Sequence, residues 1–198
     1  MSKKIHRILL NKSKSHFNHI KKIIETNGIL TLEPDKEDLF IHMARLVTNQ
    51  QLSTKAARTI WLRIVKDIKK HSKYKTSLNI HKLNNLSSFG LSNNKTKAII
   101  CLKQAFLDKQ IVKEKILEST HSQITQTVNK IWGFGDWSAD MIAMFYCGIP
   151  NIWSNGDLAL NKGLTILCEK ENTKKEEILE YYKPHLSYLA LHIWKYLD

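Results

Sequence analysis

Cysteine, proline and glycine are all scarce in this 198-residue chain, at three, three and seven residues. Cys101, Cys147 and Cys168 lie far apart, are odd in number and lack metal-ligand spacing. That excludes a disulfide framework and any zinc or iron–sulfur site needing four grouped ligands, and it points to a reducing, cytoplasmic setting. The apolar run in the N-terminal MSKKIHRILLNKSKSH is too short for a signal peptide. No run approaches the roughly 20 apolar residues of a membrane span.

With so few helix breakers, apolar residues recur mostly at three and four, and the expected fold is all-α. Leu39, Met43, Leu46 and Val47 form one helical face. Ala56, Ala57, Ile60, Trp61, Ile64 and Val65 form the next, with Ser53 or Thr54 as its cap. LNNLSSFGLSNNK reads as a short helix, a turn at Gly90 and a polar loop. Residues 96–107 then carry Ile99, Ile100 and Leu102 toward a core, and residues 124–131 lead into a glycine break. KKEEILEYYKPHLSYLALHIWKYL is two helices parted at Pro184. No alternating strand pair, internal repeat or low-complexity segment is present. The length suffices for one sizeable core or two small lobes.

Acidic residues are outnumbered: 31 Lys+Arg against 18 Asp+Glu give a formal charge of +13. Such a balance suits a polyanion, either nucleic acid or an acidic membrane surface. A lysine-rich, well-solvated surface would have the same composition.

Two short stretches carry chemistry. In KIWGFGDWSADMIAMF, Gly133 and Gly135 separate two segments of helical spacing, as in a tight helical hairpin. The helix starting near Asp136 would present free backbone N–H groups at the positive end of its dipole, where a phosphate can dock. In NGDLALNKG, Asp157 stands alone among neutral residues. It suits a helix N-cap.

The run GFGDWSADMIAMF resembles the helix-hairpin-helix of the base-excision DNA glycosylase superfamily. VTNQQLSTKAARTIW, FGLSNNKTKAIICL and IPNIWSNGDLALNKGL are similar to its Gln-Gln-x-Ser junction, its Gly-x-x-x-x-Lys segment and its catalytic-aspartate segment. YYKPHLSYLALHIWKYL is similar to the C-terminal run of the 3-methyladenine DNA glycosylase II family. The matches lie in the right order across residues 45–196. The resemblance implies a two-lobed helix-hairpin-helix fold with the active site in the groove between lobes. Residues 35–145 would form a central lobe ending in the hairpin. Residues 1–34 plus 146–198 would form a second lobe carrying the aspartate.

It further implies hydrolysis of the N-glycosidic bond of alkylated purines, 3-methyladenine and also 7-methylguanine, in damaged double-stranded DNA. Asp157 is the implied catalytic carboxylate, and Trp137, Trp194, Met141 and Leu158 the implied base pocket. Gln50, Gln51, Leu52, Ser53, Gly133, Phe134, Gly135 and Ser138 are the implied DNA contacts, with Gln51 or Leu52 filling the gap left by a flipped base. Relatives that also nick DNA carry a lysine two positions after the second hairpin glycine, which forms a Schiff base. Trp137 stands there, so no lyase step is expected. No cofactor is implied beyond a monovalent cation at the hairpin carbonyls of Asn129, Ile131 and Phe134. The protein is expected to act as a monomer, away from membranes.

Departures from the pattern are Asp136 at the phosphate-facing end of the hairpin and Leu186 where an arginine is common. Met141 and Leu158 also replace aromatic rings that some relatives present to the base. Two rivals follow. One is the same fold acting on hypoxanthine, ethenoadenine or uracil. The other is a non-enzymatic hairpin module that needs neither Asp157 nor a base pocket.

Overall fold

The computed structural model describes residues 2–50, 52, 54–71 and 86–198, and every regular element among them is helical. In chain order these are α1 (Ser2–Ser13), α2 (Asn18–Asn27), α3 (Leu39–Asn49), α4 (Thr54–His71) and α5 (Asn93–Leu107). There follow α6 (Lys113–Glu118), α7 (His121–Val128), α8 (Asp136–Met141), α9 (Leu158–Glu171), α10 (Lys175–Tyr182) and α11 (Leu186–Leu197). A π-helical turn, Ile142–Tyr146, directly continues α8. The chain divides into two compact units, one of Lys36–Ile142 and one combining Met1–Asp35 with Ala143–Asp198. No described helix is long and apolar enough to cross a membrane.

In the continuous unit, side chains fix where helices begin. Asp38 accepts from the Ile41 amide and starts α3, and Ser92 accepts from the Lys95 amide and starts α5 at Asn93. Thr120 and Gln123 form a reciprocal capping box at α7. Leu39, Met43 and Val47 of α3 are buried, and α3 packs on α4 and α5. In α4, Ala57 and Ile64 are buried but Ala56 is exposed; Thr54 is the first helical residue, and Ser53 lies outside the described residues. Ile100 also differs from expectation. A helix turns about 100° per residue, and with Ile99 and Leu102 inward, Ile100 is left 43% exposed.

Helices α1 and α2 belong to the other unit, with α9, α10 and α11. Ile20, Ile23 and Ile24 of α2 are buried, and α2 packs against α9 and α11. Lys12 ties α1 to the end of α10 by donating to the carbonyls of Tyr181 and Lys183, at 2.7 and 2.8 Å. Leu160, Leu164 and Leu167 form the buried face of α9. Gly163, also on that face, lies where any Cβ would collide with Cγ2 of Ile193. The missing side chain lets α11 lie close along α9, and this closeness positions the site.

Candidate active site

Asp157 is the N-cap of α9: its backbone is extended, and Oδ1 accepts from the Leu160 amide at 2.8 Å. The capping role is therefore real, but it is not the whole of the geometry. The indole Nε1 of Trp194, 37 residues away on α11, donates to the same Oδ1 at 3.2 Å. An N-cap needs no such second donor. Trp194 in turn lies against Phe145, with ring centroids 5.9 Å apart and planes inclined at 34°. Phe145 is on the π-helical turn. Trp194 also borders a hollow of about 400 Å³ with Ile29, Leu30 and Leu191 among its walls. Leu158, the residue after Asp157, is 87% exposed.

The loop before Asp157 is held from both sides. The Asp157 amide donates to the Ser154 carbonyl at 3.2 Å. Upstream, the Ser187 hydroxyl of α11 donates to the Ile149 carbonyl and accepts from the Ile152 amide. Leu186, where relatives often have arginine, is a buried core residue of α11.

The hairpin belongs to the continuous unit. Gly133 has φ +88, and a Cβ there would stand 2.5 Å from Cβ of Ala98 on α5. Backbone conformation and packing both demand glycine at this position. Gly135 is different: it is extended, and nothing would lie within 4 Å of an added Cβ. The Asp136 carboxylate accepts from the Asn129 side chain at 2.6 Å, closing the turn between α7 and α8. His121 and the buried Asp140 carboxylate pair at 2.8 Å, joining the first turn of α7 to α8. Trp132 is exposed, with the Lys97 ammonium 4.3 Å from its ring centre. Trp137 is half-buried.

Among the expected DNA contacts, Gln50 ends α3, and its side-chain amide donates to the Ser138 hydroxyl at 3.4 Å. Ser138 is buried, so its hydroxyl is a packing contact of the hairpin and not a surface one. Phe134 is likewise buried, which leaves its backbone as the group to offer. Met141 is buried on α8, with its side chain 5% exposed. Leu52 is 38% exposed, while Gln51 and Ser53 lie outside the described residues. Lys95 explains the Gly-x-x-x-x-Lys pattern: it caps α3 from a distance, donating to the carbonyls of Thr48 and Gln50 at 2.9 and 2.6 Å. Burial lowers its pKa from the ordinary lysine value.

A chain whose described residues form only helices, with this glycine hairpin and this N-capping aspartate, has the fold of helix-hairpin-helix 3-methyladenine DNA glycosylases. A Schizosaccharomyces pombe 3-methyladenine DNA glycosylase, Mag1, solved with abasic DNA, superposes with a TM-score of 0.78 at 21% identity, covering 97% of this chain and 95% of that one. In sequence the chain is homologous to the alkylbase DNA glycosidase-like protein mag2 of S. pombe, 25% identical over 186 residues, which are 90% of this chain and 87% of that protein. It is 24% identical over 168 residues to DNA-3-methyladenine glycosylase 1 of the same yeast, covering 81% of this chain and 73% of that protein. No protein-family model matches.

Proposed function

We propose that this chain is a monofunctional DNA glycosylase of the 3-methyladenine II type. It would hydrolyse the bond between deoxyribose and an alkylated purine, chiefly 3-methyladenine and also 7-methylguanine, in damaged duplex DNA. The observation that carries the reading is the second donor on Asp157. An indole from a distant helix and a backbone amide converge on one carboxylate oxygen, and this fixes the carboxylate more firmly than capping requires.

As the glycosidic bond breaks, its electron pair leaves with the base, and positive charge grows on the sugar. A fixed carboxylate beneath that sugar stabilises the charge electrostatically, orients the water whose oxygen bonds to C1′ and takes up the proton that water loses, passing it on to solvent. An N3- or N7-alkylated purine is already cationic and departs neutral, so no second acid is needed. Trp137, at the position where nicking relatives carry lysine, has no amine to form a Schiff base.

DNA phosphate would be met by the backbone at Gly135 and the start of α8, where the absence of a side chain opens the approach. A monovalent cation would sit at the carbonyls of Asn129, Ile131 and Phe134. The protein would act as a monomer, and the +13 charge makes its affinity for DNA fall steeply with salt.

The test is release of free base from methylated duplex DNA by wild type and Asp157→Asn, with strand nicking followed in parallel. Release of 3-methyladenine, its loss in the variant and nicking only after alkali are expected. Nicking without alkali would refute the monofunctional reading. A protein that binds duplex DNA but releases no alkylated, deaminated or etheno-adduct base would instead be a binding module.

A further inference from the structure

The loop carrying Asp157 is cinched by a side chain one turn further along α9. Asn161 spends both hydrogens of its amide on main-chain carbonyls, donating from Nδ2 to Asn155 at 2.7 Å and to Asp157 at 2.8 Å. Its own backbone amide also donates to the Asp157 carbonyl, at 3.0 Å. On the other side of the amide, Oδ1 accepts from Lys175 Nζ at 3.3 Å, and the same ammonium reaches Oδ1 of Asn155 at 3.3 Å. The network leaves one orientation for the amide, since the flipped one would set an oxygen against two carbonyls and an NH₂ group against an ammonium.

Between the two clamped carbonyls lies Gly156, the residue type whose backbone turns most freely. Without the clamp, rotation at Gly156 would carry the Asp157 main chain with it, and the carboxylate would swing. The other bonds to this segment, from the Leu160 amide and the Trp194 indole to Oδ1, from the Asn161 backbone amide to the Asp157 carbonyl and from the Asp157 amide to Ser154, all end on Asp157. The Asn161 side chain adds the tie to the Asn155 carbonyl across Gly156.

We propose that Asn161, held in turn by Lys175, is a positioning residue that fixes the Asp157 carboxylate for catalysis by locking the backbone on either side of Gly156. The proposal rests on the glycosylase reading for its kinetic consequence, but its geometric content is independent of it. Asn161 touches no reacting atom; it acts through the main chain of Asp157.

Three variants test it: Asn161→Ala, Lys175→Met and Asp157→Asn. Each is followed by single-turnover release of 3-methyladenine, by affinity for undamaged duplex, and by the NMR resonance of the Trp194 indole N–H, which donates to the carboxylate. Misplacing a catalytic group by about 1 Å costs up to 10²-fold in rate, so Asn161→Ala should release base about 30-fold more slowly, and Lys175→Met about threefold. Affinity for DNA should be unchanged, and the indole resonance of Asn161→Ala should move part of the way toward its place in Asp157→Asn. A merely structural role would leave that resonance and the wild-type rate intact in Asn161→Ala, and this result would overturn the proposal. Should Asn161→Ala fail to fold, a wild-type rate and indole resonance in Lys175→Met would overturn it equally. If the wild type releases no base, the glycosylase reading fails, and the indole resonance of Asn161→Ala still decides whether this amide sets the carboxylate.

Discussion

Gly163→Ala should slow base release although residue 163 is nowhere in contact with DNA chemistry. An alanine Cβ would lie well inside van der Waals contact of Cγ2 of Ile193 and 3.0 Å from Cδ1 of Leu197. The nearer atom hangs directly on the β-carbon of a β-branched residue, whose rotamer is nearly fixed in a helix. It cannot step aside, so α11 itself must move, by about 1 Å to restore ordinary contact. Overpacking of this kind costs about 1–3 kcal/mol, while replacing a mid-helix glycine with alanine returns about 1 kcal/mol. Net destabilisation should therefore be modest, about 1 kcal/mol, and the variant should fold. Trp194 follows Ile193 on α11, and its indole bond to Asp157 is already 3.2 Å long. A shift of about 1 Å breaks that bond. The expected loss is 10- to 100-fold in single-turnover release, about 1.4–2.7 kcal/mol of barrier. Urea unfolding and base release measured together provide the assay. A Gly163→Ala protein with wild-type release would show that α9–α11 spacing does not set the site.

Three further outcomes are expected. Gly133→Ala combines a disfavoured φ with a collision against Ala98 and should cost about 3 kcal/mol in urea unfolding, whereas Gly135→Ala should leave stability intact and weaken duplex binding. Lys95→Met strips two carbonyls of a charged donor and should cost about 2 kcal/mol; Lys97→Met, which loses only an exposed contact with Trp132, should cost under about 1 kcal/mol. His192 is held neutral by burial, then by His6 and Lys195, which push its pKa down to about 4 from an ordinary 6.5. Between these values the unfolded chain binds the extra proton, so stability is full above pH 6.5 and falls by about 3 kcal/mol as pH drops to 4, a slope that His192→Gln should flatten in acid-unfolding curves.

Legibility from sequence followed the range of the interactions involved. The glycine break and the cap at Asp157 are local, and both can be read from a few consecutive residues. The Trp194 indole bond joins residues 37 apart, and nothing in either segment's spacing announces it. Lys95 is similar: its place in a pattern was visible, but its role as a cap for α3 was not, because its partners are 45 and 47 residues away. Helices α1 and α2 do carry helical spacing, in Ile5 and Leu9 and in Ile20, Ile23 and Ile24, all buried; what spacing does not reveal is that these helices meet α9, α10 and α11, far downstream. The outward turn of Ile100 and the core placement of Met141 depend on which side of a helix meets its neighbour, and that belongs to packing. Nothing in the residues Ile142–Tyr146 signals a π-helical turn, since it differs from α-helix only in hydrogen-bond register.

The division of one unit between the two ends of the chain has a consequence for biosynthesis. Translation proceeds from the N-terminus and domains fold as they are completed. Lys36–Ile142 is contiguous and is available to fold as soon as it leaves the ribosome. Helices α1 and α2 are made well before their partners: the carbonyls that Lys12 must reach are 169 and 171 residues downstream. The isoleucines of α2 likewise wait for α9 and α11. These two helices pack on each other, but the rest of their unit is not available to them until α9 to α11 have been made.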